Sequence, residues 1–324
     1  MGPFELIYYA GHRLKTSYDL ARQRRLPARV ISVGNITTGG TGKTPATVAL
    51  ALAARGRGLK PCVLTRGYGG SLRGPVVVTA DMKAREAGDE PVLMARKLGD
   101  IPVVKCADRH RGGSFALERL DPKPDIFILD DGFQHRRLHR DKDILLISSR
   151  SPFDNEKLLP LGLLREPLGA IGRADIIVMT KKPDTRQKAL VERLRRYNST
   201  APIFSSGYRL SAVVDASGER RAADWLGGKD VYAFCGIGEP GSFRDTLVGS
   251  GANLRGFKAF KDHHSYTESD LLRVRKDAHI SGAPWIITTE KDIIRLRGID
   301  IPENLLALEI EFVAQEGFYD EVFK

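Results

Sequence analysis

The chain has 324 residues, 42% apolar and 28% charged, a globular composition that excludes a disordered tail, a collagen and a polytopic membrane protein, at a length that favours two domains over one core. Its 51 Lys and Arg against 40 Asp and Glu leave a net charge of +11, so an anionic partner is expected: nucleic acid, phosphorylated metabolites or an acidic membrane surface. Cys62, Cys106 and Cys235 lie far apart with no CxxC pair, which indicates neither a zinc site nor a disulfide framework and points to a reducing cytosol.

At the amino terminus no positive n-region precedes an apolar run, so no cleavable signal is expected. The six uncharged residues between Glu5 and His12 fall far short of the roughly 20 that a spanning helix needs. Phe4, Leu6, Ile7, Tyr8, Tyr9, Leu14, Tyr18 and Leu20 form an apolar side, and Arg13, Lys15, Arg22, Arg24 and Arg25 accompany it. Such an amphipathic helix serves equally to lie in a membrane interface or to pack on its own domain.

From residue 29 to about 206 short β-branched runs alternate with helical stretches. Strands are expected at Arg29 to Val33, Pro61 to Thr65, Val76 to Thr79, Val103 to Lys105, Asp125 to Leu129, Ile144 to Ile147, Ile176 to Met179 and Ile203 to Ser205. Helices are expected at Lys43 to Ala54, Glu90 to Leu98, Gly112 to Leu120 and Thr185 to Tyr197. This alternation argues for βαβ units and a doubly wound, largely parallel sheet, with ligands at the carboxyl ends of the strands. Between Tyr208 and Asp224 polar residues interrupt the pattern. A second, smaller α/β unit follows, with strands at Val231 to Ile237, Leu254 to Phe257, Trp285 to Thr289 and Leu305 to Ile310, and helices near Ser242 to Val248 and Glu268 to Lys276. The expected division is therefore 1–28, 29–207 and 208–324.

The strongest local signal is Gly34-Asn35-Ile36-Thr37-Thr38-Gly39-Gly40-Thr41-Gly42-Lys43-Thr44, which follows one predicted strand and opens a predicted helix. Small residues let backbone N–H groups turn inward around phosphate oxygens, and the helix N-terminus adds partial positive charge. Thr37 to Thr44 are thus the expected ATP-binding residues, with Lys43 reaching the β and γ phosphates and the Thr44 hydroxyl on Mg²⁺. A strict Walker loop has Gly where Thr37 stands.

Asp130 and Asp131 end an apolar strand, where a Walker B carboxylate meets the metal, and they should point in different directions. Asp89 precedes a helix in Gly88-Asp89-Glu90-Pro91 and reads most simply as its cap. Arg165, beside Glu166 and Pro167, is either part of an ion-paired loop or a clamp on a transferring phosphoryl group. His263 and His264 are adjacent with no third ligand spaced to match, so His263 reads as an acid, base or orienting partner, or as an ordinary exposed histidine.

Together these segments resemble the tetraacyldisaccharide 4′-kinases, the lipid A kinase family of Gram-negative bacteria. The matching stretches are Val33-Gly34-Asn35 through Thr44-Pro45, Thr65-Arg66-Gly67-Tyr68-Gly69, Gly88-Asp89-Glu90-Pro91, Asp130-Asp131-Gly132-Phe133-Gln134-His135, Leu164-Arg165-Glu166-Pro167, Gly236-Ile237-Gly238, Asp262-His263 and Thr289-Glu290-Lys291-Asp292. The family's loop shares the departure at Thr37.

The resemblance implies a P-loop NTPase-like fold with a second, smaller α/β domain closing over it. It implies transfer of the ATP γ-phosphate to the 4′-hydroxyl of tetraacyldisaccharide 1-phosphate, with Mg²⁺, at the cytoplasmic face of the inner membrane, and it turns the amino-terminal helix into an expected membrane contact. Asp89 is implied as the group that deprotonates the hydroxyl, with His263 as its partner. Glu90, Asp130 and Glu166 are implied in the metal and phosphate environment, Arg165 on the γ-phosphate, and Asp131 and Gln134 as secondary candidates. Gly238 and Thr289 to Asp292 receive no role. No nucleic acid and no obligate protein partner are expected. The rivals are a soluble P-loop kinase of a small sugar or nucleoside and a DNA-binding regulatory ATPase, to which the basic run His135 to Arg140 would lend itself.

Overall fold

A computed structural model of the chain describes residues 2–180 and 187–324. Helix α1 (Pro3–Ala21) is followed by β1 (Arg29–Gly34), α2 (Lys43–Gly56), β2 (Pro61–Thr65), β3 (Val76–Val78), α3 (Ala84–Ala87), α4 (Asp89–Leu98), β4 (Val103–Lys105), α5 (Arg109–Arg119), β5 (Ile126–Asp130), β6 (Lys142–Ser148), β7 (Ile176–Thr180) and α6 (Gln187–Arg195). The later half adds β8 (Ile203–Val214), β9 (Arg220–Ala222), β10 (Asp230–Cys235), α7 (Pro240–Gly249), β11 (Asn253–Ala259), α8 (Glu268–Ile280), β12 (Trp285–Thr289), α9 (Glu290–Arg295), β13 (Leu305–Ala314) and α10 (Phe318–Phe323).

Among the described residues 13 strands form one sheet in the order β11-β10-β12-β13-β8-β7-β6-β1-β5-β2-β4-β3, with β9 on β8. Its central strands are apolar at successive positions because helices or other apolar segments cover both faces. In β5, Ile126 and Ile128 enter the main core while Phe127 and Leu129 enter the cluster on the opposite face. Strand β6 divides likewise, Ile144 and Leu146 one way, Leu145 and Ile147 the other. The period of two that sorts these side chains also decides where Asp130 points, since it shares a face with Ile126 and Ile128.

All pairings are parallel except β3 with β4, β9 with β8, and β8 with β13. The last of these joins two parallel runs. Residues Ile203 to Ser206 of β8 pair with β7, and from Ser206 to Val214 the same strand pairs antiparallel with β13. The position at which the sequence pattern changes, near 207, is where β8 leaves one partner for the other, and the strand itself continues without a break. One core cluster crosses this seam, taking Leu50 and Met94 from the first half with Phe234, Leu305 and Phe318 from the second.

Strand and helix centres agree with the sequence pattern, and the differences have local causes. Strands β8 and β13 outrun their expected ends at Ser205 and Ile310 because ladder bonds hold polar positions such as Ser206, Arg209 and Glu311 in extended form. Helices α3, α9 and α10 are too short to show a 3.6-residue period. The expected start of a helix at Thr185 lies outside the described residues.

Gly34 ends β1 against the turn that follows β5. A Cβ placed there would sit 2.6 Å from Phe133 Cβ and 2.7 Å from its backbone nitrogen, an approach the backbone cannot relieve by a rotamer change. Gly34→Ala should cost about 1–3 kcal/mol of overpacking. A urea midpoint unchanged from wild type would contradict this close packing.

Candidate active site

The segment between β1 and α2 is braced from within. Asn35 is fully buried; its Nδ2 donates to Thr41 Oγ1 at 2.9 Å and its Oδ1 accepts from Lys43 Nζ at 3.2 Å. Gly42 caps α2 in the left-handed region at φ 79°, so the first helical N–H groups open toward the loop, the arrangement that receives phosphate. Thr37 and Thr38 lie against the segment that carries Arg165: Thr38 N donates to Leu163 O at 2.7 Å, and Arg165 N donates to Ile36 O at 2.8 Å. Thr44 is buried one residue after Lys43.

The two acids ending β5 separate as the strand period requires. Asp130 accepts from Thr65 Oγ1 at 3.1 Å and Thr47 Oγ1 at 3.4 Å. Asp131 turns off the strand at φ 51°, accepts both bonds from Arg165 Nη1 at 2.9 Å, and lies 3.6 Å from Lys43 Nζ. Their ionisation differs accordingly. Burial, aided by the charges of Glu90 and Asp131, raises Asp130 to about 7. Burial also opposes charge on Asp131, but Lys43 and Arg165 outweigh it and hold its pKa below the usual carboxylate range.

Helix α4 begins with Asp89, and the dyad implied by the resemblance is assembled there. His263 Nδ1 lies 3.1 Å from Asp89 Oδ2 although the two are 174 positions apart in sequence. His263 takes the left-handed region at φ 55°, a conformation uncommon for a non-glycine residue, and its ring lies 5.9 Å from that of Tyr68. Burial works against the Asp89 charge, but the bond from His263 and the charges of Arg295 and Lys291 prevail, so Asp89 stays well below its ordinary value. The same bond raises His263, against its partial burial. His264 points elsewhere, to Asp270 at 3.1 Å, and stacks on Phe260. Glu90, next along α4, is paired with Lys291; burial opposes its charge and Lys291 restores it.

Asp89 and His263 form part of the wall of a cavity of about 550 Å³, which Lys83, Arg85, Arg295 and Arg297 make cationic. Glu90 feels Lys43 and raises Asp130, so the charge at the start of α4 is felt at the phosphate loop.

Glu166, implied by the resemblance in the metal and phosphate environment, lies among side-chain donors. It is 2% exposed and both oxygens are taken, by Arg173 at 2.8 and 3.0 Å and by Gln134 at 2.9 Å, with His12 at 3.7 Å. These bonds tie Glu166 to Arg173 and Gln134, and Gln134 Oε1 accepts from Arg165 Nη1 at 3.4 Å. Gln134 in turn donates to Asn35 O at 2.8 Å. In the basic run, Arg140 is folded back onto Asp143 at 2.7 Å and His135 O at 2.9 Å. Among the described residues no three His, Cys, Asp or Glu side chains form a ready-made metal cage.

The family model for tetraacyldisaccharide-1-P 4′-kinase matches residues 1–324. This chain belongs to that family. The tetraacyldisaccharide 4′-kinase of Syntrophus aciditrophicus is 41% identical over 97% of this chain and 89% of that protein, and the one from Pelobacter propionicus is 39% identical over 96% and 87%. The crystal structure of the "apo" form of LpxK from Aquifex aeolicus in complex with ATP superposes with a TM-score of 0.77 at 32% identity, covering 99% of this chain and 96% of that one.

For a member of the tetraacyldisaccharide 4′-kinase family, several site residues escaped the sequence reading. Asn35 was legible only as part of the loop. Lys291 and Arg295 lie four apart, hence on one side of the short α9, and their meeting with Glu90 and Asp89 depends on pairing across the two halves. Gly238 borders the phosphate loop, since a Cβ there would make an ordinary contact with Gly40 N at 3.6 Å.

Gly42 has two independent reasons to be glycine: its positive φ, and a Cβ that would fall 1.4 Å from Tyr208 Oη, whose hydroxyl donates to Thr41 O at 3.2 Å. Gly42→Ala should therefore distort the loop and weaken ATP binding about tenfold or more, equivalent to roughly 1.4 kcal/mol. Titration calorimetry showing wild-type ATP affinity would contradict it.

Proposed function

We propose that the 4′-kinase reaction of this family takes place between the phosphate loop and the cationic cavity, with ATP above Lys43 and the sugar hydroxyl of tetraacyldisaccharide 1-phosphate beside Asp89 and His263. The observation that carries the reading is the Asp89–His263 contact, which places a carboxylate and an imidazole from opposite halves on one cavity wall. Phosphoryl transfer passes through a loose transition state, so the protein's task is alignment and neutralisation of spreading charge. Lys43 supplies positive charge at the β and γ phosphates. Arg165, fixed by Asp131 and backed by Gln134, supplies it at the transferring group. The ionised Asp89 accepts the hydroxyl proton late in transfer and His263 shares or orients it, a contribution of roughly 10²- to 10⁴-fold. Lys83, Arg85 and Arg297 give the cavity a wall suited to a phosphorylated sugar.

The residues near the loop fit Mg²⁺. The Thr44 hydroxyl and the Asp130 carboxylate are hard oxygen donors, to be completed by nucleotide phosphates and water, and a divalent cation would offset the burial and the carboxylate repulsion that raise Asp130. Glu90 lies outside this pair as a second acidic neighbour. When bound, the ion neutralises charge on the β and γ phosphate oxygens.

In a transfer assay with labelled ATP and tetraacyldisaccharide 1-phosphate in detergent micelles, Asp89→Ala and His263→Ala should each lower kcat roughly 10²-fold or more. The double variant should be little worse than the poorer single one, because residues acting as a unit are non-additive. Fully multiplicative losses would separate the two residues, and a wild-type rate for Asp89→Ala would return it to a helix cap.

The acceptor's acyl chains favour the bilayer, at about 0.8 kcal/mol per CH₂, so the enzyme meets its lipid at a membrane surface. Among the described residues no helix is long and apolar enough to cross a membrane. Helix α1 leaves Phe4, Ile7, Leu14 and Tyr18 at least half exposed. Leu161, itself exposed, adjoins the helix start at Gly2 and extends this apolar face. With Arg13, Lys15 and Arg22 beside it, the face suits the anionic cytoplasmic surface of an inner membrane, each cation adding on the order of 1 kcal/mol. Changing Ile7, Leu14 and Tyr18 together to serine should reduce co-sedimentation with anionic vesicles, most clearly at high salt, and raise the apparent KM for dispersed lipid. Undiminished sedimentation of the folded variant would move the membrane contact elsewhere.

A further inference from the structure

Arg295, the last residue of α9, is 6% exposed at its side chain and makes contacts that no other described cation makes. Its Nε donates to Asp89 Oδ2 at 2.7 Å, and Nη2 closes on the same oxygen. On the other side of the guanidinium, Nη1 donates to Gly236 O at 2.6 Å and to Asp292 Oδ1 at 3.1 Å. Gly236 O also accepts the backbone N–H of His263 at 3.1 Å. One planar group therefore holds the carboxylate of one dyad member and the carbonyl that anchors the backbone of the other. We infer that Arg295 is the positioning residue of the dyad, fixing Asp89 and His263 in register across the two halves of the chain. This inference rests on the site reading above.

The guanidinium is itself held from behind. Asp292 is completely buried and accepts from Gly236 N at 3.1 Å, Tyr266 Oη at 2.9 Å and Thr289 Oγ1 at 2.6 Å. The sequence Thr289 to Asp292 thereby gains a physical purpose: Thr289 caps α9, Asp292 locks onto the strand end at Gly236, and the helix delivers Arg295 one turn later. The fork geometry matters as much as the charge. A lysine ammonium can neutralise Asp89, but it lacks the rigid fork that reaches Asp89 and Gly236 O at once.

The test is steady-state transfer by the full-length enzyme with ATP and tetraacyldisaccharide 1-phosphate in micelles. Arg295→Ala should lower kcat roughly 10²-fold, the scale of a misplaced catalytic group, with KM for ATP little changed. Methylguanidinium added at millimolar concentration should restore part of that kcat while an equal concentration of methylammonium restores less, and Arg295→Lys should fall between Ala and wild type. Arg295→Ala combined with Asp89→Ala should be no slower than Asp89→Ala alone. If the Ala variant does not fold, as judged by circular dichroism, the Arg295→Lys and Asp89→Ala pair is read in the same way. A near-normal kcat in Arg295→Ala, losses multiplicative with Asp89→Ala, or for a folded Ala variant no preference for methylguanidinium, would overturn the positioning role while leaving the dyad intact. If Asp89→Ala alone is as fast as wild type, the site reading fails and this inference with it.

Discussion

Strand β8 belongs to two partners at once, and the site depends on that arrangement. Its first residues continue the parallel run that carries the phosphate loop, and the rest pair antiparallel with β13, the neighbour of the run that carries His263 and α9. Backbone hydrogen bonds leave a strand little freedom to slide, because a one-residue slip would exchange its two faces. Burial of Val213 and Phe312 on opposite sides of the sheet fixes that register further. Elements more than 170 positions apart in sequence are thus held within hydrogen-bonding distance.

What crosses the resulting cleft is charge. Asp89 and Glu90 open α4 in the first half, while Lys291 and Arg295 project from α9 in the second. Burial raises the cost of every unpaired charge in such a place, so each partner stabilises the other's ionised form: Lys291 and Arg295 are both raised despite burial. Among the described residues no cation pairs directly with Asp130, the carboxylate that burial pushes up to about 7. One pole of the site is therefore made of paired charges, and the other, at Asp130, keeps a buried carboxylate held only by the hydroxyls of Thr47 and Thr65 among the described residues.

The fold was legible wherever apolar periodicity spoke for itself, as in β5, β6 and α2, and the phosphate loop because its chemistry is contiguous in sequence. Sequence could also separate Asp130 from Asp131, since the period of two carries to the strand end. It could not give Glu166 its partners: Arg173 is seven residues away, but Gln134 and His12 arrive through tertiary packing. Nor could it give Arg295 a role, because a six-residue helix shows no stripe and its partner is 206 positions distant. The family resemblance supplied the pairing of Asp89 with His263, which composition and spacing left open.

Helix α1 packs on its own domain through one side, which leaves the membrane contact proposed above to the other. Its apolar residues divide between two faces. Tyr8 turns inward and donates to Arg165 O at 3.0 Å, His12 lies against Glu166, and Glu5, buried, accepts from Leu158 N at 3.1 Å. Phe4, Ile7, Leu14 and Tyr18 remain outside. The inner face therefore combines these polar bonds with Tyr8 and Tyr9 packed on the cluster around Phe133 and Leu164, and the outer face is apolar as well. Polar bonds specify one orientation of α1 on the protein, because sliding or rotating it would strand the Glu5 carboxylate in a buried position. The outward apolar stripe, proposed above as the membrane contact, is thus set in a fixed orientation relative to the segment that carries Arg165.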